Sequence, residues 1–360
     1  MKKLSMKKTT RTNLVTYGVV VIAFVVMQLL QSMGMLSYSM QGQLVPICAY
    51  IVLAVSLNLV VGVSGELSLG HAGFMGVGAF TAAIVSTMLQ IPMPDPTLRL
   101  VIAMIVGGIM AGIVGVLIGI PVLRLRGDYL AIVTLAFGEI LRNIVNNLYV
   151  GFDEKGLHFS LSDEGLSLAT GGKMILSGPR GTTGIQMIST FTAGFVLVMI
   201  TLFVVLNLIN SKEGRAIKAC RDNRIAAESL GINATTFKLK SFVISATLAG
   251  MAGALFGLNY ASVTAVKFSF TTSIDILVFV VLGGMGNILG SVISATLLYI
   301  LPEAMRDLQD YRMIMYAVVL ILVMLCTWSP KIKGWLQVIA DQVRDTVMGK
   351  LKKKEVGNDG

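Results

Sequence analysis

The sequence predicts an all-α integral membrane protein with about ten membrane segments, and its composition, apolar runs and glycine-rich interruptions support that fold class. Of the 360 residues, 55% are hydrophobic and only 13% are charged, whereas a soluble domain contains about 25% charged residues. Apolar runs recur along the chain at the length that a helix needs to cross a bilayer, about 20 residues. Glycine-rich interruptions shorten some runs, so we expect short or re-entrant helices and an inverted repeat among the segments.

Membrane topology explains the positive charge of the chain better than nucleic-acid binding does. Lys and Arg number 29 against 19 Asp and Glu, and basic residues gather in the cytoplasmic loops of membrane proteins. Cys48, Cys220 and Cys326 are scattered without a CxxC spacing, so neither a disulfide framework nor a metal site is supported. The chain has no Gly-x-x-x-x-Gly-Lys-Ser/Thr loop, so no cofactor is expected and ATP would have to be hydrolysed by another subunit.

The distribution of charge predicts that both ends of the chain lie in the cytoplasm. Basic residues precede the first apolar run, and the tail 331–360 is also basic. Residues 1–330 are predicted to form the membrane domain, with an external loop at 151–187 and a basic cytoplasmic loop at 211–240. The predicted long spans are 14–33, 44–61, 67–90, 98–123, 129–149, 188–209, 241–259 and 312–328, with two short segments between 272 and 301.

Two interruptions, one in each half of the chain, share a Gly-x-x-Gly core. They read GVSGELSLG at 62–70 and GGMGNILGS at 283–291. Because the segment 272–301 must begin and end outside, it is predicted to fold back at Gly283–Asn287. Corresponding glycine-interrupted segments in two halves indicate a transport pathway built from structural repeats.

Polar residues in the first interruption are expected to line this pathway. Non-helical backbone at membrane depth is tolerated only where protein or a water-filled cavity satisfies its polar groups. The alternative is an ordinary cytoplasmic turn in which Glu66 is solvated and His71 only packs. The predicted pathway residues of both interruptions are Gly62, Ser64, Gly65, Glu66, Ser68, His71, Gly283, Gly286 and Asn287.

Charged residues also occur inside one predicted span. Glu139 and Arg142 lie at i and i+3 in the span 129–149, so they are predicted to form an intramembrane ion pair. A transport role and a purely structural role are equally supported for this pair. Glycines at helical spacing in the spans 98–123 and 241–259 predict close helix packing and no further function.

The cytoplasmic stretch DNRIAAESLG predicts a short capped helix. Asp222 or Asn223 can act as its N-cap, and Gly231 fits the position after its C-terminus. A charged, capped helix on a cytoplasmic loop is a docking element for a partner protein, although a basic topogenic loop could also happen to be helical.

Six sequence blocks together resemble the permeases of branched-chain amino acid ABC importers. They are NLVVGVSGELSLGHAGFMGVGAF, RLRGDYLAIVTLAFGEILRNIVNN, GTTGI, GRAIKACRDNRIAAESLGI, KSFVISATLAGMAGAL and VLGGMGNILGS, which follow one another over about residues 58–291. The Arg-Gly-Asp-Tyr-Leu block and the Gly-Thr-Thr-Gly-Ile loop are similar to the LivM-type subunit rather than to its LivH-type companion.

This resemblance implies a non-enzymatic, multi-pass subunit of a bacterial or archaeal plasma membrane. It would pass branched-chain amino acids inward, together with a second related permease, two cytoplasmic ATPases and an external substrate-binding protein. Ala-Ala-Glu at 226–228 resembles a degenerate Glu-Ala-Ala loop, which such permeases use to contact the ATPase. The implied coupling residues are Arg221, Asp222, Arg224, Ala226, Ala227, Glu228 and Gly231.

Three other functions remain open at this point. A urea or short-amide importer shares the same permease architecture. An ion-coupled secondary transporter would use Glu66, His71 or Glu139 to carry protons, and a membrane scaffold would carry no substrate. The capped cytoplasmic loop favours an ATP-driven importer, because a secondary transporter does not need it.

Overall fold

The computed structural model describes residues 8–35, 37–125, 127–153, 156–161 and 172–304, and the single positions 314, 317, 318 and 321. The chain divides into two units, Met1–Ile300 and Leu301–Gly360. The elements below belong to the first unit, apart from the last residues of the final helix. The predicted span 312–328, except those single positions, and the tail 331–360 lie outside the described residues.

Helices account for most of the described chain. Seven of them are long and apolar enough to cross a membrane, and two shorter apolar helices follow, so nine of the ten predicted segments are present in the described part. The α-helices are α1 Lys8–Ser32, α2 Tyr38–Asn58, α3 His71–Met88, α4 Pro96–Val122, α5 Asp128–Asn146, α6 Phe191–Asn210, α7 Lys212–Asp222, α8 Arg224–Ser229, α9 Ala234–Gly257, α10 Phe270–Gly283 and α11 Ile288–Ala304.

Short polar side chains fix where several helices begin. Asp95 accepts a hydrogen bond from the Thr97 amide before α4, and Ser211 accepts one from Gly214 before α7. Asn233 does the same for the Thr236 amide, so α9 begins seven residues before the predicted span at 241. An oxygen acceptor at this position satisfies an amide that has no partner inside the helix. Much of the predicted cytoplasmic loop 211–240 is therefore helical.

The tightest packing joins α3, α4 and α9, and the glycine spacing predicts the close packing of α4 and α9. A Cβ atom on Gly78 of α3 would overlap the backbone of Gly250 in α9. On the other side of α9, a Cβ atom at Gly250 would also overlap Ala111 of α4. Small residues at these crossings let helix backbones approach closely where lipid supplies no hydrophobic driving force. Around this group, α2 is almost fully buried and α1 is mostly exposed.

The predicted external loop contains a small sheet that the sequence analysis did not predict. Strands β1 Tyr149–Asp153, β2 Gly156–Ser160 and β3 Lys173–Ser177 are antiparallel in the order β2-β1-β3. The register pairs Gly151 with His158, and a bulge separates Val150 from Gly151. The polar loop lacks the clear alternation of apolar and polar residues that identifies a half-buried strand. The all-α description therefore applies to the membrane helices.

Candidate functional site

The two glycine-rich interruptions meet in the folded chain. After α2 the backbone makes one π-helical turn, Leu59–Ser64, and then runs without helix to His71. A Cβ atom on Gly62 would overlap the backbone of Gly286 in the turn between α10 and α11. Gly65 and Gly286 have φ angles of 74° and 83°, which favour glycine. The sequence placed the two interruptions in one pathway, and the structure brings them into direct backbone contact.

Asn58, at the end of α2, holds the two interruptions together. Its Nδ2 donates to the Asn287 carbonyl oxygen at 3.1 Å and lies 2.7 Å from the Ser291 hydroxyl oxygen. Its Oδ1 accepts a hydrogen bond from the Gly286 amide at 2.7 Å. The side chain is fully buried, so these bonds satisfy an amide that water does not reach.

Side chains from other helices satisfy the open backbone of the first interruption. Thr134 of α5 accepts a hydrogen bond from the Leu69 amide at 3.1 Å. Ser273 of α10 accepts one from the Ala72 amide, in the first turn of α3, at 3.0 Å. Gly70, which precedes α3, has no side chain to cap the helix, so a distant serine supplies the missing acceptor. Side chains of α5 and α10 thus satisfy two backbone amides at the junction between the first interruption and α3.

The other polar residues of the first interruption face the protein interior. His71 is 2% exposed, and its Nε2 lies 2.8 Å from the Ser56 hydroxyl oxygen. Ser64 and Ser68 are each 1% exposed, and among the described residues their hydroxyl groups have no hydrogen-bond partner. The first interruption therefore contains two buried hydroxyls whose hydrogen-bonding capacity is unused within the described part of the chain.

Glu66 is neither solvated nor isolated, contrary to the alternative of an ordinary turn. It forms an ion pair with Lys238 of α9, and each side chain is only 12% exposed. Glu66 and Lys238 both line a cleft of about 610 Å³. The remaining walls come from the α4–α5 loop and from α7 and α8, so segments that the charge pattern places on the cytoplasmic side do lie together.

Helix α8 is capped at both ends as the sequence predicts. Of the two predicted N-cap residues, Asn223 takes the role and accepts a hydrogen bond from the Ala226 amide at 3.0 Å. At the other end Gly231, with φ of 82°, donates to Glu228, and the Ile232 amide donates to Ala227. This bond pattern is a Schellman motif, which favours a glycine at that position.

The faces of α8 have different surroundings. Ala227 is 2% exposed and packs with Cys220 and Ala234, and burial raises the pKa of the Cys220 thiol. Ile225 and Leu230 are 82% and 80% exposed. Ala227, which the sequence placed among the coupling residues, therefore supports the loop from inside, and the exposed residues are the ones available to a partner.

Most of the chain matches one known protein family. Residues 39–326 match a family described as the branched-chain amino acid transport system / permease component. The chain belongs to this family. The permease is 38% identical over 293 residues to the high-affinity branched-chain amino acid transport system permease protein LivM of Salmonella typhimurium, covering 78% of this chain and 67% of that protein. The Escherichia coli LivM is 37% identical over 292 residues, with the same coverage.

The LivM-type resemblance is confirmed. The LivH permease of Salmonella typhimurium is only 25% identical, over 283 residues that cover 77% of this chain and 88% of that protein. No solved structure matches the chain. The permease is a multi-pass membrane transport protein and not an enzyme.

Glu139 and Arg142 of the permease form an ion pair within α5, at the i and i+3 spacing seen in the sequence. Arg142 Nε lies 2.7 Å from Glu139 Oε2, while Glu139 Oε1 accepts a hydrogen bond from the Phe270 amide at 3.0 Å. Phe270 begins α10, so the carboxylate satisfies a free amide of another helix. Both oxygens of Glu139 are engaged, which supports the structural role over a role in carrying protons.

Sequence reasoning missed the residues that tie the site together. Asn58 and Ser56 are polar residues in an otherwise apolar span, and that signal alone could have singled them out. Lys238 could not be separated from the other basic residues of the cytoplasmic loop. Its distinction comes only from its partner, 172 residues away in the sequence.

Proposed function

We propose that the permease passes branched-chain amino acids from an external binding protein into the cytoplasm, as one of two related permeases in an ABC importer. The observation that carries this proposal is the 38% identity, over most of the chain, to a relative named as a branched-chain amino acid transport permease. Membership of this family implies that the chain works within a transporter complex. Its companions would be a second permease, two cytoplasmic ATPases and the binding protein.

The pathway is proposed to run past the contact between the two interruptions. A zwitterionic substrate needs polar groups along its route, but it must bind weakly enough to leave again. The hydroxyls of Ser64 and Ser68 belong to the first interruption, and among the described residues they have no hydrogen-bond partner, so they have spare hydrogen-bonding capacity. Gly62 and Gly286 are in contact, so the route is proposed to pass beside this contact.

Coupling to ATP is proposed to act through α8. The exposed Ile225 and Leu230 offer an apolar surface on a charged loop, which suits insertion into a groove on an ATPase. The ordered caps hold this helix in one orientation. The predicted inverted repeat and the basic tail stay predictions.

Uptake by the whole importer tests the proposal. The permease, its companion permease, the two ATPases and the binding protein are reconstituted in proteoliposomes with ATP inside. Radiolabelled leucine, isoleucine and valine are expected to accumulate only with hydrolysable ATP, and urea and acetamide are not. Uptake of urea in place of leucine would identify the short-amide importer. Uptake that requires a proton gradient while ATP is maintained would identify a secondary transporter.

A further inference from the structure

We propose that Arg221 and Lys238 are positioning residues that tie the Gly62–Glu66 turn to α7 and α9, the helices before and after α8. Movement of α8 would then reach the contact between the interruptions. This inference rests on the proposed function, in which α8 docks on an ATPase. It adds two specific side chains and the backbone atoms they hold. Neither residue is proposed to touch the substrate.

The first tether is the Arg221 guanidinium. Its Nη1 donates to the Gly62 carbonyl oxygen at 2.9 Å. Its Nε and Nη2 both lie close to Asp222 Oδ1, at 2.9 and 2.8 Å, so a neighbouring carboxylate fixes the orientation of the planar group. A Cβ atom on Gly65 would come within 2.5 Å of Arg221 Cγ, so the glycine lets the arginine stem lie against the turn.

The second tether is the ion pair between Lys238 and Glu66. With both side chains 12% exposed, water screens the pair far less than it screens a surface pair. Removing one partner leaves the other charge largely buried and uncompensated, which disfavours the position that the pair normally holds. The ion pair thus fixes the end of the turn to the first turns of α9.

The positions of the two tethers in the chain suit the transmission of movement from α8 to the Gly62–Glu66 turn. Arg221 lies three residues before the first residue of α8, and Lys238 lies nine residues after its last. Both hold the same five-residue turn, and within that turn Gly62 is the residue that touches Gly286. A displacement of α8 that carries the end of α7 or the start of α9 with it therefore either moves this turn or breaks a charged contact.

The test separates coupling from folding by measuring ATP hydrolysed per substrate transported in proteoliposomes of the complete importer. Lys238→Met and Arg221→Met are expected to keep ATP hydrolysis while uptake falls, raising this ratio about tenfold, within the usual range of coupling between sites. Exchange of the charges, Glu66→Lys with Lys238→Glu, is expected to restore much of the uptake. A purely structural role would not change the ratio of hydrolysis to transport.

The exposed ion pair between Lys240 and Glu213 is the matched control. It joins α9 to α7 rather than to the turn, and both side chains are 44% exposed. Lys240→Met is expected to leave the ratio unchanged. If Lys238→Met prevents assembly, Arg221→Lys, which keeps the charge and loses the planar fork, is expected to raise the ratio by itself.

Two results would overturn the inference. One is a ratio in Lys238→Met and Arg221→Lys equal to that of Lys240→Met, and the other is a charge exchange that restores nothing. In both cases a wild-type importer that couples ATP to leucine uptake would leave the proposed function standing. If the wild-type complex showed no ATP-dependent uptake, the proposed function itself would be refuted.

Discussion

Asn58 is the residue on which the contact between the two interruptions depends. Asn58→Leu keeps a similar volume and removes the hydrogen bonds to the Gly286 amide and the Asn287 carbonyl, of which only the carbonyl keeps another donor, the Ser291 amide. Each lost hydrogen bond is worth about 0.5–1.5 kcal/mol, so this variant is expected to lower the thermal unfolding midpoint of the purified complex. The matched control is Asn210→Leu, since the Asn210 amide lies on an exposed helix end and bonds only within α6. Equal midpoints for the two variants would contradict the bridging role.

His71 is expected to contribute packing and a hydrogen bond rather than proton transfer. A proton carrier must exchange with water, but His71 is 2% exposed and bonds to Ser56 in the interior. His71→Asn is therefore expected to reduce uptake modestly and to leave its dependence on pH unchanged between about pH 5.5 and 8, on either side of the ordinary histidine pKa. The measurement is leucine uptake with ATP maintained and the proton gradient collapsed. A loss of pH dependence in the variant would give His71 the role of a proton carrier.

The interruptions act as elements whose shape depends on glycine. Gly62→Ala would force Gly62 away from Asn58 and Gly286, and Gly65→Leu would place a side chain on a backbone with positive φ. Both variants are expected to insert in the membrane and to lose most uptake. Gly62→Ala would push the two interruptions apart by steric overlap, and the backbone strain in Gly65→Leu costs about 1–3 kcal/mol. Gly42→Ala, in open space on α2, is the control that keeps uptake. Full uptake by Gly62→Ala would show that transport does not depend on the contact between Gly62 and Gly286.

Variants of the capped helix α8 distinguish loss of ATPase docking from loss of loop folding. Ile225→Glu places a charge on the exposed side and is expected to abolish binding of the ATPases while the permease stays folded. Valine resists the positive φ of position 231, so Gly231→Val is expected to weaken both the C-terminal cap of α8 and the coupling of ATP hydrolysis to transport. Asparagine tolerates this conformation, so Gly231→Asn is expected to have a smaller effect. Co-purification of the ATPases with each variant is the measurement. Retention of the ATPases by Ile225→Glu would exclude this face as the docking surface.

At the scale of the whole molecule, the charge pattern predicts which loops face the cytoplasm. Cys220 is a poor position for testing this topology by thiol labelling, because burial shields its thiol and raises the pKa of the thiol on whichever side of the membrane it lies. The exposed positions Lys212 and Leu161 are better. In a Cys326→Ser background, an impermeant thiol reagent is expected to label Leu161→Cys on intact cells and Lys212→Cys only after permeabilisation. The reverse labelling would invert the predicted topology.

The sequence by itself determined the elements of this protein. A run of apolar residues long enough to cross a bilayer has little alternative to a helix, because its backbone must satisfy its own hydrogen bonds in lipid. The predicted fold-back at Gly283–Asn287 and the caps at Asn223 and Gly231 follow from equally local chemistry, namely backbone freedom and short polar side chains. These features need no knowledge of distant residues.

Only the tertiary structure decided which elements touch and which polar groups pair. Asn58 meets Asn287 across 229 residues of sequence, and Glu66 meets Lys238 across 172. Such pairs depend on which helix faces pack together, and that choice is set by shape at glycine-lined crossings rather than by local propensity. For this reason the sequence supplied the two interruptions and the coupling helix as separate parts, and the packing of the helices joined them into one site.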